Sequence, residues 1–385
     1  MAKLHLPEHL IYDILSRLPT KSIIRFMCVS QTWNSLIQDP YFTRLRRQNL
    51  DNLLFLVVCH KFDWSERINK FQPGIFVGNI PTHEDQGSLE LNNSTHILTM
   101  PKIPSFDVHY VNGLICSYSR LYLYDPDNVI HIHICNPTTR QVVALPRDNN
   151  LDFYPKFLLR TNFGYDPLGD NYKVLNVIFT ETDLFQKLRI LTVGDNVWRN
   201  VGHAIPFDLM SNIVKRIGTC VNGAIHWLDF SRNVILVFDL GIEQFREIPI
   251  FEFHMIPSTR IILFSGHLCL VNHYLSGEVH MSILKDYENH VWIKHERIII
   301  SKEDSFWIYR RLLPLCKTDT QEIILLSRNM PSKQLQVCYY DTKTRSARRI
   351  FAVKGSSSCP SDEFYYWSIH NSKSLFVYKE NFKQL

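Results

Sequence analysis

Apolar residues in the first fifty positions recur at helical spacing, and beyond position 50 they change to short blocks and alternation. Leu10, Ile11, Ile14, Leu15 and Leu18 form one stripe. Pro7 suits the first position of that helix, Glu8 favours its positive end, and Pro19 stops it. Thr20 can cap a second helix with the stripe Ile23, Ile24, Met27 and Cys28. Ser30 can cap a third, carrying Trp33, Leu36 and Ile37, which Asp39-Pro40 ends. Tyr41, Phe42 and Leu45 begin a short last turn or helix, with Arg44, Arg46 and Arg47 on its polar side. The pattern predicts a small three-helix module over residues 1–50.

From residue 51 to 385 the pattern predicts strands and turns without intervening helices. Leu53–Cys59, Leu114–Tyr118, Leu121–Tyr124, Tyr172–Phe179, Val234–Leu240, Leu268–Val271, Gln336–Tyr340 and Leu375–Tyr378 are among the strand candidates. The chain repeats itself. Val111-Asn112-Gly113-Leu114-Ile115 resembles Val221-Asn222-Gly223-Ala224-Ile225 and, more weakly, Ser265-Gly266-His267-Leu268-Cys269. Strand, polar turn and strand recur around Asn136–Gln141, Asp239–Phe245 and Asp341–Ser346. Gly194–Trp198 and Tyr287–Trp292 are turns followed by a tryptophan. Units begin near 111, 163, 220, 264 and 312, a spacing that suits four-stranded blades stacked in a ring. The fold class expected is mainly β: a small helical module followed by a propeller-like domain of about six blades, closed by Leu53–Cys59 together with Leu375–Tyr378. Residues 60–110 read as long loops on one rim.

Composition narrows the classes further. Of 385 residues, 45% are hydrophobic and 21% charged, which excludes a disordered chain. Net charge is +5, and residues 1–50 supply seven basic and three acidic side chains, so 7 − 3 = +4 of it lies there. A total this small, without a concentrated basic and aromatic track, does not point to nucleic acid. No apolar run is long enough to span a bilayer, and the first residues lack the apolar core of a secretory signal. The nine scattered cysteines match neither a disulfide framework nor a zinc module, and thiols of this kind suit the cytosol or nucleus.

Catalytic motifs are missing: no phosphate loop, dinucleotide fingerprint, nucleophile elbow or zinc-protease helix. His131 and His133 share one strand face but lack a visible third ligand. Asp125-Pro126-Asp127-Asn128 reads as a turn, Cys28 as core, and Arg345, Arg348 and Arg349 as a solvated hairpin. Neither a metal nor another cofactor is expected, and no enzymatic activity.

Three short helices bury little surface alone, so such a module is marginal unless its apolar face meets something. That something is a separate partner or the large domain itself. Leu6–Leu10, Ile14–Pro19, Lys21–Ser30 and Trp33–Ile37 together resemble the F-box, without gaps, over some forty residues. The resemblance implies binding to a Skp-family adaptor and, through it, to a cullin scaffold of a ubiquitin ligase. It places Leu6, Pro7, Leu10, Ile14 and Leu15 on the adaptor-facing surface of the first helix. It gives Leu18, Pro19, Ile24, Cys28, Val29, Trp33 and Leu36 roles shared between that surface and internal packing. Asn112–Leu114, Asn136–Arg140, Phe163–Pro167, Tyr172–Val174, Val221–Trp227 and Phe238-Asp239 resemble the F-box-associated domain of plant F-box proteins. The expected function is therefore substrate recognition for an SCF-type ligase, with an unidentified protein target. The alternative is a stand-alone propeller, binding protein or RNA, whose helices pack only within the chain.

Overall fold

The computed structural model describes residues 7–49, 54–63, 70–79, 89–90, 95–99, 101, 106–119, 130–149, 157–180, 187–202, 218–250, 253–274, 276, 278–294, 297–299, 312–318, 320–328, 335–354, 365–366, 375–378, 380–383 and 385.

Four helices, not three, open the chain: α1 (Glu8–Ser16), α2 (Thr20–Met27), α3 (Gln31–Gln38) and α4 (Pro40–Asn49). Pro7 and Pro19 each stand just outside a helix as its N-cap, with ψ of 141° and 143°. Thr20 is thus the first residue of α2 rather than its cap. Ser30 does cap α3, accepting the Trp33 N–H at 3.1 Å. Asp39 ends α3, and its carboxylate accepts the Tyr41 N–H at 2.7 Å, which starts α4 with Pro40 in its first position. Asp39-Pro40 therefore begins a helix as well as ending one, because proline at a first helical position sacrifices no hydrogen bond.

Leu15, Ile23, Met27, Ile37 and Phe42 form the core of the module, and Phe382 from the far end of the chain completes it. Two expectations fail here. Cys28 is exposed, because it lies one position past the last turn of α2. Arg46 is not on a polar side but is only 4% exposed.

Among the described residues the strands form six sheets. The first holds Leu54–Asp63, Lys70–Asn79 and Thr95–Thr99, joined by Tyr365–Tyr366 and Leu375–Tyr378. The second runs Phe106–Val111, Leu114–Ser119, Ile132–Asn136, Gln141–Ala144. The third runs Phe157–Asp166, Asn171–Thr180, Lys187–Thr192, Arg199–Asn200. The fourth runs Thr219–Val221, Ala224–Asp229, Val234–Asp239, Phe245–Pro249. The fifth runs Arg260–Phe264, His267–His273, Glu278–Asp286, Val291–Lys294, with Ile298–Ile299 paired at its side. The sixth runs Leu313–Lys317, Glu322–Arg328, Leu335–Asp341, Ser346–Lys354, with Leu89–Glu90 added in parallel.

Apolar side chains weld each sheet to the next. Leu114 and Cys116 meet Phe163 and Tyr172, and Leu175 and Ile190 meet Ile225 and Phe238. Ile235 and Val237 meet Leu268 and Leu270, and Cys269 and Val271 meet Ile323 and Cys338. Leu56 and Ile75 meet Ile115 and Cys135, and Leu313–Lys317 lies beside Leu375–Tyr378. The result is a closed β-propeller. Its first sheet is shared between the chain ends: Leu54–Val57 pairs antiparallel with Leu375–Tyr378.

Residues 60–110 depart from expectation, because they contain paired strands rather than only long loops. Pro73-Gly74, part of the stretch that reads as loops, sits inside the strand Lys70–Asn79. The strand Thr95–Thr99 pairs only from Gly74 onward, so the missing N–H of Pro73 falls beyond its reach. The expected strand Leu121–Tyr124 and turn Asp125–Asn128 lie outside the described residues.

The turns repeat with the sheets. Asn112-Gly113, Asn222-Gly223 and Ser265-Gly266 all have positive φ at both residues, the requirement of a two-residue hairpin turn that matches strand twist. Six four- or five-residue turns share a second device. Asn136, Asp166, Asp229, Asp239, Asp286 and Asp341 each accept the N–H groups two and three residues on, at 2.8–3.4 Å. Four residues after each stands one in the left-handed region: Arg140, Asp170, Asn233, Glu243, His290 and Arg345. All but the Asp229 turn join first to second or third to fourth strands, so up-and-down order places them on one rim. This short-turn rim is where the helices attach.

Candidate docking surface

The α1 stripe is split by helix geometry. Leu15 points inward and is 2% exposed, whereas Leu10 and Ile14, four residues apart on the outer side, are 41% and 51% exposed. Pro7 extends the outer line and is also exposed. At the turn joining α2 to α3, Cys28 is exposed and Val29 is 62% exposed. Pro19 is exposed; Leu18, Ile24 and Trp33 are half-buried; Leu36 is buried. Leu6 lies outside the described residues.

Leu15 is therefore a core residue rather than part of an outward surface. Trp33 packs against Phe26 with ring centroids 5.0 Å apart, so it faces mainly inward. Tyr41, unread in the sequence as a surface group, is 47% exposed; its ring meets Tyr12 edge-on at 5.2 Å and carries the Arg44 guanidinium at 5.6 Å. The Tyr12 hydroxyl donates to Asp39 at 3.0 Å, and burial together with that carboxylate pushes its pKa up to about 12. This bond ties α1 to the α3–α4 junction and keeps the outer line of α1 turned to solvent.

The inner side of the module is held by residues with no sequence signal. Arg46 donates to the Ser16 and Leu18 carbonyls at 3.0 and 2.6 Å, satisfying acceptors left open where α1 ends. It also pairs with Glu380, itself 6% exposed, to which the Thr20 hydroxyl donates. Phe382 stacks edge-on against Phe42 at 5.6 Å. Glu380-Asn381-Phe382 is too short a stretch to show a period, and the helical partners of Glu380 lie more than 300 positions away.

Among the described propeller residues no second chemical centre emerges. His131 and His133 stack at 6.4 Å, and burial first, then His131, holds His133 below the ordinary histidine pKa. Among the described residues no three His, Cys, Asp or Glu side chains come together as metal ligands, and no helix is long and apolar enough to cross a membrane. What the described surface offers is greasy side chains held outward on short, capped helices, with a second group of positions beneath them filled by core.

Comparison with known proteins identifies two families along the chain. Residues 4–45 match the F-box domain family, and residues 66–372 match the F-box associated beta propeller domain family. F-box protein DOR of Arabidopsis thaliana is 28% identical over 390 residues, covering 95% of this chain and 92% of that protein. F-box protein At2g16450 of Arabidopsis thaliana is 26% identical over 434 residues, covering 98% and 94%. Among solved structures, a chain from a nidogen/laminin complex aligns with a TM-score of 0.39 at 10% identity, covering 78% of this chain and 93% of that one.

Proposed function

The chain belongs to the family in which an F-box precedes an F-box-associated β-propeller domain, and from that premise we propose that it is the substrate-recognition subunit of an SCF-type ubiquitin ligase. The F-box docks a Skp-family adaptor and, through it, a cullin scaffold. The propeller, read as six blades, one per sheet, holds a target protein. The chain performs no covalent step itself. It raises the local concentration of target lysines at the ligase centre, which is catalysis by positioning.

The observation that carries this reading is the outward apolar line of α1. Leu10 and Ile14 are about half exposed although Leu15, Ile23 and Ile37 already complete the core beneath them. What distinguishes them from singly exposed residues such as Leu168 is that Leu10 and Ile14 stand one helical turn apart on one face, and contiguous exposed apolar surface marks interaction sites. We assign adaptor contact to Pro7, Leu10, Ile14, Cys28 and Val29, with Pro19, Leu18 and Ile24 at the margin. The alternative, helices that pack only within the chain, would need this line covered, and in the structure it is open.

The test is a pull-down of the full chain with the adaptor. Leu10→Asp and Ile14→Asp should each abolish co-purification while circular dichroism and melting temperature stay at wild-type values. Undiminished adaptor recovery with both variants would refute the assignment.

A further inference from the structure

Successive side chains of the segment from Glu380 to Lys383 go to opposite sides, the alternation that extended backbone produces. Here the two sides meet different parts of the molecule. Glu380 and Phe382 enter the helical module, where Glu380 pairs with Arg46 and Thr20, and Phe382, 1% exposed, fills the core between Leu15, Ile23 and Phe42. Asn381, Lys383 and Leu385 go to the propeller. The Asn381 N–H donates to Thr138 at 2.9 Å, and its amide donates to the Asn112 carbonyl at 2.8 Å and to the Tyr172 hydroxyl at 2.6 Å. Asn136 in turn donates to the carbonyls of Asn381 and Lys383 at 2.9 and 2.8 Å. Lys383 pairs with Asp170 at 3.2 Å, and the Leu385 N–H donates to Gln141 at 3.0 Å.

These propeller partners are themselves turn residues of the second and third sheets: Asn112 of a hairpin turn, Asn136 and Thr138 of the turn that Asn136 organises, and Asp170 at the left-handed position of the Asp166 turn. The groups that make the turns therefore also read the tail.

We propose that Glu380, Asn381, Phe382 and Lys383, together with Leu385, form a two-sided strap that fixes the orientation of the helical module on the propeller, with Glu380, Phe382 and Asn381 as positioning residues. A segment gripped by alternate side chains cannot slide by one position without putting Phe382 against the propeller and Asn381 into an apolar core. Register and orientation are thus set together. Its role in aligning a target with the ligase rests on the adaptor-docking reading above, but the strap itself does not.

The test uses the full chain carrying donor and acceptor dyes on non-natural side chains at the exposed positions Gln31 and Asn196, with single-molecule energy transfer as the readout. Wild type should give one narrow efficiency peak. Phe382→Ala and Asn381→Ala should broaden it, Phe382→Leu should restore it, and hydrogen exchange of α1 and α4 should accelerate at least tenfold in Phe382→Ala while the sheets stay protected. Should Phe382→Ala simply unfold the helices, Asn381→Ala decides, because it touches only the propeller side. A peak in Asn381→Ala as narrow as in wild type would overturn the proposal. Loss of adaptor binding by wild type with the peaks behaving as expected would sink the docking reading and leave the strap standing.

Discussion

Adjacent residues with the same chemistry have opposite tasks in α1. Leu15→Ala removes buried packing and should cost about 2–5 kcal/mol of stability, whereas Leu10→Ala should stay within about 0.5 kcal/mol. Chemical denaturation of the full chain, followed through the helical signal, separates the two. The inward and outward registers were legible only as one stripe, because Leu10, Ile11, Ile14, Leu15 and Leu18 span an arc wider than one contact. The half-turn that divides them depends on where α4 and Phe382 lie. His226 supplies a residue-scale prediction for pH. It is 1% exposed, lies 3.2 Å from the Thr219 carbonyl and receives the Tyr287 hydroxyl at 2.6 Å on its other nitrogen. Burial, reinforced by nearby Arg246, lowers its pKa to about 4. The unfolded chain, with a histidine pKa of about 6.5, therefore binds more protons between those values. Its contribution is complete above about pH 6.5 and is lost as pH falls toward 4, by at most about 3 kcal/mol at 1.36 kcal/mol per unit. His226→Gln should flatten that part of a melting-temperature curve against pH; an unchanged slope would show that other groups set it.

At the scale of elements, the most legible parts were those specified locally. Asn-Gly and Ser-Gly pairs marked hairpins because positive φ at two successive residues restricts the choice of side chain. Gly223 shows the constraint: φ is +75°, and a Cβ there would stand 2.7 Å from Pro167 Cδ of the neighbouring sheet. Gly223→Ala should destabilise by about 1–3 kcal/mol through strain and overpacking, measurable as a lower denaturation midpoint with unchanged slope. The tryptophan turns also proved to be repeats of one contact. Trp198 donates to the Pro146 carbonyl at 2.8 Å and Trp292 to the Pro249 carbonyl at 3.3 Å, each reaching the end of the preceding sheet. What escaped was non-local. Nothing near Arg46 in the sequence announces Glu380, and an arginine flanked by Arg44 and Arg47 looks solvated until its partner arrives. Glu380→Ala should then cost about 3–5 kcal/mol, because it strands a buried guanidinium, and a double change of both residues to apolar side chains should recover much of that loss. A double-mutant cycle measures it.

For the whole molecule, closure is the governing feature. Leu54–Val57 and Leu375–Tyr378 join the ring between its chemically distant ends, and the four residues of each strand are the seam. A chain ending at position 374 should lose cooperative unfolding in all sheets, since each sheet has no other partner for its two apolar faces. The alternation of strands and turns made the ring legible in advance. The count of helices and the strands within residues 60–110 were not, because Pro40 and Pro73 carry opposite meanings depending on neighbours that only the folded chain supplies. Short turns on the helix-bearing rim and longer connections on the other also give the propeller two unlike faces, and the second is the one turned away from the helices.

The strap has a consequence for how the molecule is made. Phe382 is made long after the helices whose core it fills, so that core stays incomplete until the strands between them have been synthesised. A product stopped before Phe382 would carry the exposed Leu10 and Ile14 on a helical module whose interior lacks that ring.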